Sequence, residues 1–159
     1  MSGGASMMQA AVLRPLGFPQ DQEAFLGHLR VLYPSIAEDT LRRRLGAVKD
    51  GGWECIGAFA KGEGDGEGAM LGMSGYWIQH RFCYGKYLYV DHFIVDGGKR
   101  GRGLGEQMWQ ALERIAHEHG CERIVLDTFV TNSVAQRFWM NQGCSIVGLH
   151  FGKPLNPSG

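Results

Sequence analysis

Neither sign of charge is in excess, since sixteen Lys and Arg stand against sixteen Asp and Glu. The chain therefore has no global positive field to draw it onto a nucleic-acid backbone, and none is expected as a partner. It also has no C-x-x-C pair. Cys55, Cys83, Cys121 and Cys144 lie far apart, which argues against a zinc site and a thioredoxin-like motif and for reduced buried thiols in a cytoplasmic protein. His117 and His119 are two apart on a predicted helix and point in different directions, so no metal is expected. No apolar run approaches the roughly 20 residues that span a bilayer, and residues 1–8 lack the basic and apolar segments of a secretory signal. The length suits a single domain, placed at 9–153 between tails at 1–8 and 154–159.

What the chain does have is 44% apolar residues in clear periodic patterns and 25 glycines concentrated between them. Ala10 to Leu16 reads as a strand, and Asp21 is placed to cap a helix carrying Phe25, Leu26, Leu29, Leu32 and Tyr33. Pro34 ends that helix. Ser35-Ile36-Ala37-Glu38 has the spacing of a capping box for a second helix striped by Leu41, Leu45 and Val48. Strands follow at Glu54 to Ala60, Ala69 to Gln79 and Tyr84 to Val95, the first two joined by a Gly-rich hairpin tip at 62–68 that is expected to be mobile. A helix from Gly103 or Leu104 ends at Gly120, where a left-handed cap is expected. Arg123 to Val130 is then a buried strand, Asn132 caps a last helix closed by Gly143, and Ser145 to Phe151 reads as a final strand. The order β-α-α-β-β-β-α-β-α-β implies the α/β (α+β) class: a mixed, mostly antiparallel central sheet flanked by helices.

Between the third long strand and the following helix lies Lys99-Arg100-Gly101-Arg102-Gly103-Leu104-Gly105. Glycines let backbone N–H groups converge, and a helix start offers unpaired donors and a partial positive charge, so this turn suits a diphosphate. A flexible basic surface turn is the plainer alternative. A dinucleotide fingerprint fails because Glu106 or Met108 stands where its third glycine belongs, although Asp127 lies near the distance of a ribose acid. A Walker A loop fails because Leu104-Gly105 replaces its Lys-Ser/Thr.

Arg100-x-x-Gly103-x-Gly105, preceded by a long strand and followed by helix, strand and Asn132-x-x-Ala135-x-x-Phe138-Trp139 before Gly143, resembles the signature of the GNAT superfamily of acyl-CoA-dependent N-acyltransferases. The resemblance covers about Glu54 to Val147. It implies acetyl-CoA as co-substrate and no metal, with direct transfer to a small-molecule amine in a ternary complex, and it carries a homodimer as the candidate assembly. The residues it places against the cofactor are Phe93, Ile94, Val95, Arg100, Gly101, Arg102, Gly103, Leu104, Gly105, Asn132, Phe138 and Trp139. Two positions depart from the pattern. Trp139 stands where many relatives have a Tyr that protonates the leaving thiolate, and its indole N–H is no acid at neutral pH. Cys144 replaces the usual Phe. Asn132 either reaches the pantetheine or only caps its helix, and Trp139 packs against the cofactor or the core.

A lysine-like amine has a pKa near 10.4, so presenting its neutral form at pH 7 costs roughly 4 to 5 kcal/mol, which a base and a partly dry pocket would reduce. Period-two alternation puts Tyr87, Tyr89, Asp91 and Phe93 on one face of their strand and Leu88, Val90, His92 and Ile94 on the other. Asp91 and His92 can then share a pocket only if a bulge intervenes. Asp91 lies where polyamine acetyltransferases similar to this chain have an acidic residue that receives the amine, and it is the first candidate for anchor and base. A structural carboxylate bonded to an Arg or to backbone is the alternative. His92 is the second candidate base and Tyr89 the third. Backbone N–H groups near Phe93 to Val95 are candidates for stabilising the oxyanion. The resemblance puts the acceptor between the first two helices and the central strands, with Tyr33, Trp77, Tyr87 and Asp91 as its contacts and a polyamine-like or other basic amine as its first candidate. A non-catalytic acyl-CoA sensor, an ADP-binding module and a peptide N-acetyltransferase are the rival readings.

Overall fold

The computed structural model describes residues 11–64, 66–97 and 103–156. Arg100, Gly101 and Arg102, three of the expected cofactor residues, lie outside the described residues. The chain divides into two compact units, Met1–Leu126 and Asp127–Gly159.

The first unit is built on a sheet of five strands in the order β1-β2-β3-β4-β5. These are β1 (Val12–Pro15), β2 (Glu54–Lys61), β3 (Glu67–Arg81), β4 (Gly85–Val95) and β5 (Arg123–Leu126). The β1·β2, β2·β3 and β3·β4 pairs are antiparallel. Two of the three follow from short reversals. The β2–β3 tip closes through Gly62 N–H to Gly66 O (2.9 Å) and Gly66 N–H to Glu63 O (3.2 Å), with Gly64 at φ +64°. The β3–β4 turn needs Gly85 at φ +64°. The β4·β5 pair is parallel, which requires a crossover, and α3 (Leu104–Glu118) supplies it. The class expected from the sequence, a mixed and mostly antiparallel sheet with flanking helices, is the one observed.

α1 (Gln22–Leu32) and α2 (Glu38–Asp50) bury Phe25, Leu26, Leu29, Leu41 and Leu45 in a core completed by Trp53, Cys55, Phe59, Met70 and Met73. Each fully buried side chain of this size is worth about 1.5–3 kcal/mol relative to exposure. α3 sets Leu104 and Met108 against Ala58, with Phe93 and Val95 packed on the same cluster. Burial raises the Cys55 thiol well above its ordinary range, so it stays protonated.

Two helix starts differ from expectation. Asp21 precedes α1, but its carboxylate takes Arg14 Nη1 and Nη2 (2.8 and 2.9 Å) and Gly17 N–H (2.7 Å) and makes no cap bond. α2 is preceded by Ala37 in an extended conformation rather than capped by Ser35. Glu38 does not reach back to close a box, because Arg30 and Arg42 hold its carboxylate.

In the second unit, Asn132 Oδ1 accepts Ala135 N–H (3.1 Å) and caps α4 (Ser133–Asn141), and Gly143 adopts φ +85° beyond its end. The strand expected over Arg123 to Val130 stops at Leu126. The backbone beyond it is drawn into a local turn in which Gln136 Nε2 donates to Phe129 O and Val130 O and Asn132 N–H donates to Phe129 O. Residues 145–151, expected as a strand, have no regular structure. Asp127 sits 2.9 Å from His150 Nδ1. Among the described residues no helix is long and apolar enough to cross a membrane.

Candidate active site

The register of β3 against β4 slips at one place. Gly75 pairs with His92 and Tyr76 pairs with Val90, so Asp91 is the extra residue of a bulge. A bulge resets the alternation of side chains. Tyr89 stays opposite Trp77, whereas beyond the bulge Ile94 joins the α1/α2 core and Phe93 and Val95 join the α3 cluster. The strict alternation expected from the sequence is thereby corrected, and Asp91 and His92 come to line the same cavity.

That cavity has a volume of about 320 Å³. α1 contributes Phe25 and Leu29, and the link after it contributes Tyr33 and Ile36. α2 contributes Leu41, Arg44, Leu45 and Val48, and Trp53 and the bulge complete the wall. Asp91 is half-exposed, and its carboxylate lies 3.8 Å from His92 Nδ1, too long for a hydrogen bond. No arginine or backbone donor holds it among the described residues, so the structural role considered for Asp91 has no support there. His92 is buried, with its ring 5.7 Å from Trp53 and 5.8 Å from Phe25. Its carbonyl accepts the hydroxyl of fully buried Ser74 at 2.9 Å. His92 Nε2 and Trp53 Nε1 are buried with no hydrogen-bond partner among the described residues. Partial burial, reinforced by the Asp91 charge, raises the Tyr33 hydroxyl above its usual value, so it remains a donor.

Of the expected acceptor contacts, the cavity brings together Tyr33 and Asp91 but not Trp77 or Tyr87. Trp77 packs on the α1/α2 core beside Gly51, whose Cβ position lies 3.1 Å from the indole. Tyr87 is 1% exposed, and its hydroxyl donates to Gln79 Oε1 at 2.7 Å. Tyr89, the third candidate base, is not part of the lining either. The sequence reading missed Trp53 and Arg44 as wall residues. The available signal was spacing, because Arg44 falls between Leu41 and Val48 at helical intervals on the face that carries the apolar stripe.

β4 is paired with β5 only from Tyr87 to Val90, while its pairing with β3 runs on to Val95. The cofactor candidates Phe93, Ile94 and Val95 lie on that extension. After the turn, Gly103 adopts φ +72° and opens α3, with no side-chain cap among the described residues. No side chain among the described residues caps the first-turn donors of α3, which fits a diphosphate at this helix start. Asn132 caps α4, and Phe138 and Trp139 meet edge to face at 4.8 Å with Trp139 buried. Among the described residues no His, Cys, Asp and Glu cluster could hold a metal.

The acetyltransferase (GNAT) family model matches residues 23–144. The chain belongs to that family. This GNAT chain is accordingly an enzyme of the acetyl-CoA-dependent N-acetyltransferase class. It is 28% identical over 123 residues to glucosamine 6-phosphate N-acetyltransferase 1 of Oryza sativa subsp. japonica, covering 75% of the chain and 73% of the relative. The crystal structure of glucosamine-6-phosphate N-acetyltransferase from Arabidopsis thaliana superposes with a TM-score of 0.68 at 22% identity, over 92% of this chain and 99% of that one. The aminoglycoside N-acetyltransferase AAC(6')-Iy, solved with CoA, gives a TM-score of 0.77 at 19% identity over 92% and 95%. Both share its fold.

Proposed function

We propose that the enzyme transfers acetyl from acetyl-CoA to the primary amine of a small molecule by direct attack within a ternary complex. The observation that carries this reading is the bulge at Asp91, which puts a carboxylate and a buried imidazole on one small cavity beside the strand that leads to the Gly-rich turn. The relatives bearing sugar-amine and aminoglycoside names are consistent with a small-molecule acceptor, and the CoA in one fold relative with the carrier. The diphosphate arm is assigned to Arg100–Gly105 at the start of α3, and the pantetheine to the Phe93–Val95 segment.

In the reaction the ammonium form is received by Asp91, which takes a proton directly or through water, with His92 as the second candidate base. The neutral nitrogen attacks the thioester carbonyl, the C–N bond forms, the C–S bond breaks to release coenzyme A thiolate, and the nitrogen gives up its surplus proton to water. Backbone N–H groups of the Phe93–Val95 segment are assigned to the developing oxyanion. Trp139 supplies no proton, so the thiolate takes one from water. A polyamine-like acceptor has one supporting feature, the carboxylate of Asp91.

Thiol release from acetyl-CoA across a panel of primary amines tests the reading. Amine-dependent release at least tenfold above hydrolysis is expected with some member. Saturable acetyl-CoA binding with no release for any amine would replace it with the sensor reading.

A further inference from the structure

We infer that the acceptor is a primary amine on an apolar body, of the arylalkyl or branched alkyl type, rather than a polyhydroxylated sugar amine or a polyamine. The inference rests on the small-amine reading above and deepens it. Most of the wall is apolar, with Phe25 and Leu29 of α1, Ile36 of the link, Leu45 and Val48 of α2, and Trp53 among its side chains. An apolar cavity of roughly 150 Å³ accommodates a benzene molecule. At about 320 Å³ this one has room for an aromatic ring and a short linker to the amine.

A sugar ring would bring several hydroxyls against these apolar side chains, and those not reaching Tyr33, Arg44, Asp91 or His92 would give up water for no partner. The lining contains one carboxylate, Asp91, which satisfies one ammonium. A second ammonium of a polyamine would meet Arg44, a like charge on the same wall that makes no ion pair among the described residues. His92 Nε2 and Trp53 Nε1 are buried without partners among the described residues, and Trp53 Nε1 packs against Gly75, so they offer no row of hydroxyl sites.

The experiment measures thiol release by the full chain with acetyl-CoA and 2-phenylethylamine, spermidine or glucosamine 6-phosphate. Ligand-observed NMR records binding of each amine independently of turnover. The expected result is a kcat/KM for 2-phenylethylamine at least tenfold above either rival, with that advantage reduced at least fivefold in Ile36→Asn. Binding of 2-phenylethylamine in preference to the other two, without thiol release from any, would support the pocket assignment while removing the transferase reading. Preferred binding or turnover of spermidine or glucosamine 6-phosphate, or millimolar 2-phenylethylamine that neither binds nor reacts, would overturn the inference.

Discussion

At Gly75 two rings occupy the space a side chain would need. An added Cβ would lie 2.5 Å from His92 Cε1, 2.5 Å from Trp53 Cζ2 and 2.6 Å from Trp53 Nε1. Gly75→Ala should therefore cost about 1–3 kcal/mol through overpacking. It should also displace His92 from the cavity, so calorimetry is expected to show a lower Tm and steady-state kinetics a lower kcat, together. A changed Tm with wild-type kcat would separate His92 from the chemistry. Asp91 and His92 were both legible as candidates, because a carboxylate and an imidazole just before a Gly-rich turn are conspicuous. Their meeting was not. Alternation along one strand puts them on opposite faces, and a bulge belongs to a pair of strands, here Gly75–Tyr76 against Val90–His92, so it leaves no mark on either alone.

Among the elements, Arg14 of β1 joins the start of α1 to β3 by pairing with Asp21 and Glu67. The Arg14 guanidinium, with help from Gly17 N–H, holds the Asp21 carboxyl below its ordinary value. A depressed carboxylate contributes stability above its unfolded pKa of about 3.9 and loses it as pH falls through the lower folded value. Asp21→Asn should remove about 1 kcal/mol at pH 7, or ~2–4 °C of Tm for a chain of this size. Below about pH 4 its Tm should converge on that of the wild type, which a Tm–pH series checks. The helices α1 to α4 and the long strands were legible because their apolar periods run through whole elements. The starts of α1 and α2 and the last strand were not. The Ser35–Glu38 spacing suits a capping box, yet arginines distant in sequence or a turn away claim Glu38. Ser145 to Phe151 has strand composition, but strand formation depends on a partner edge that composition does not supply.

For the whole molecule, acetyl-CoA binding should raise the Tm by mass action. At a hundredfold excess over Kd the gain is about 2.7 kcal/mol, or ~5–10 °C. Arg100→Ala combined with Gly105→Val should abolish most of it, and an unchanged shift by differential scanning fluorimetry would move the diphosphate away from the start of α3. The fold and the family were readable because the motif sits at the strand-to-helix junction that the pattern of elements requires. The acceptor was not, because the cavity proposed for it is assembled from scattered residues of α1, α2, the link between them, Trp53 and β4. The most direct measurement is kcat/KM for the amine in Asp91→Ala, read beside its acetyl-CoA thermal shift. The expected result is a loss of about 100-fold with the thermal shift retained, and partial recovery at higher pH as more amine becomes neutral. Wild-type kcat/KM in that variant would contradict the assignment of Asp91 as the group that receives the amine.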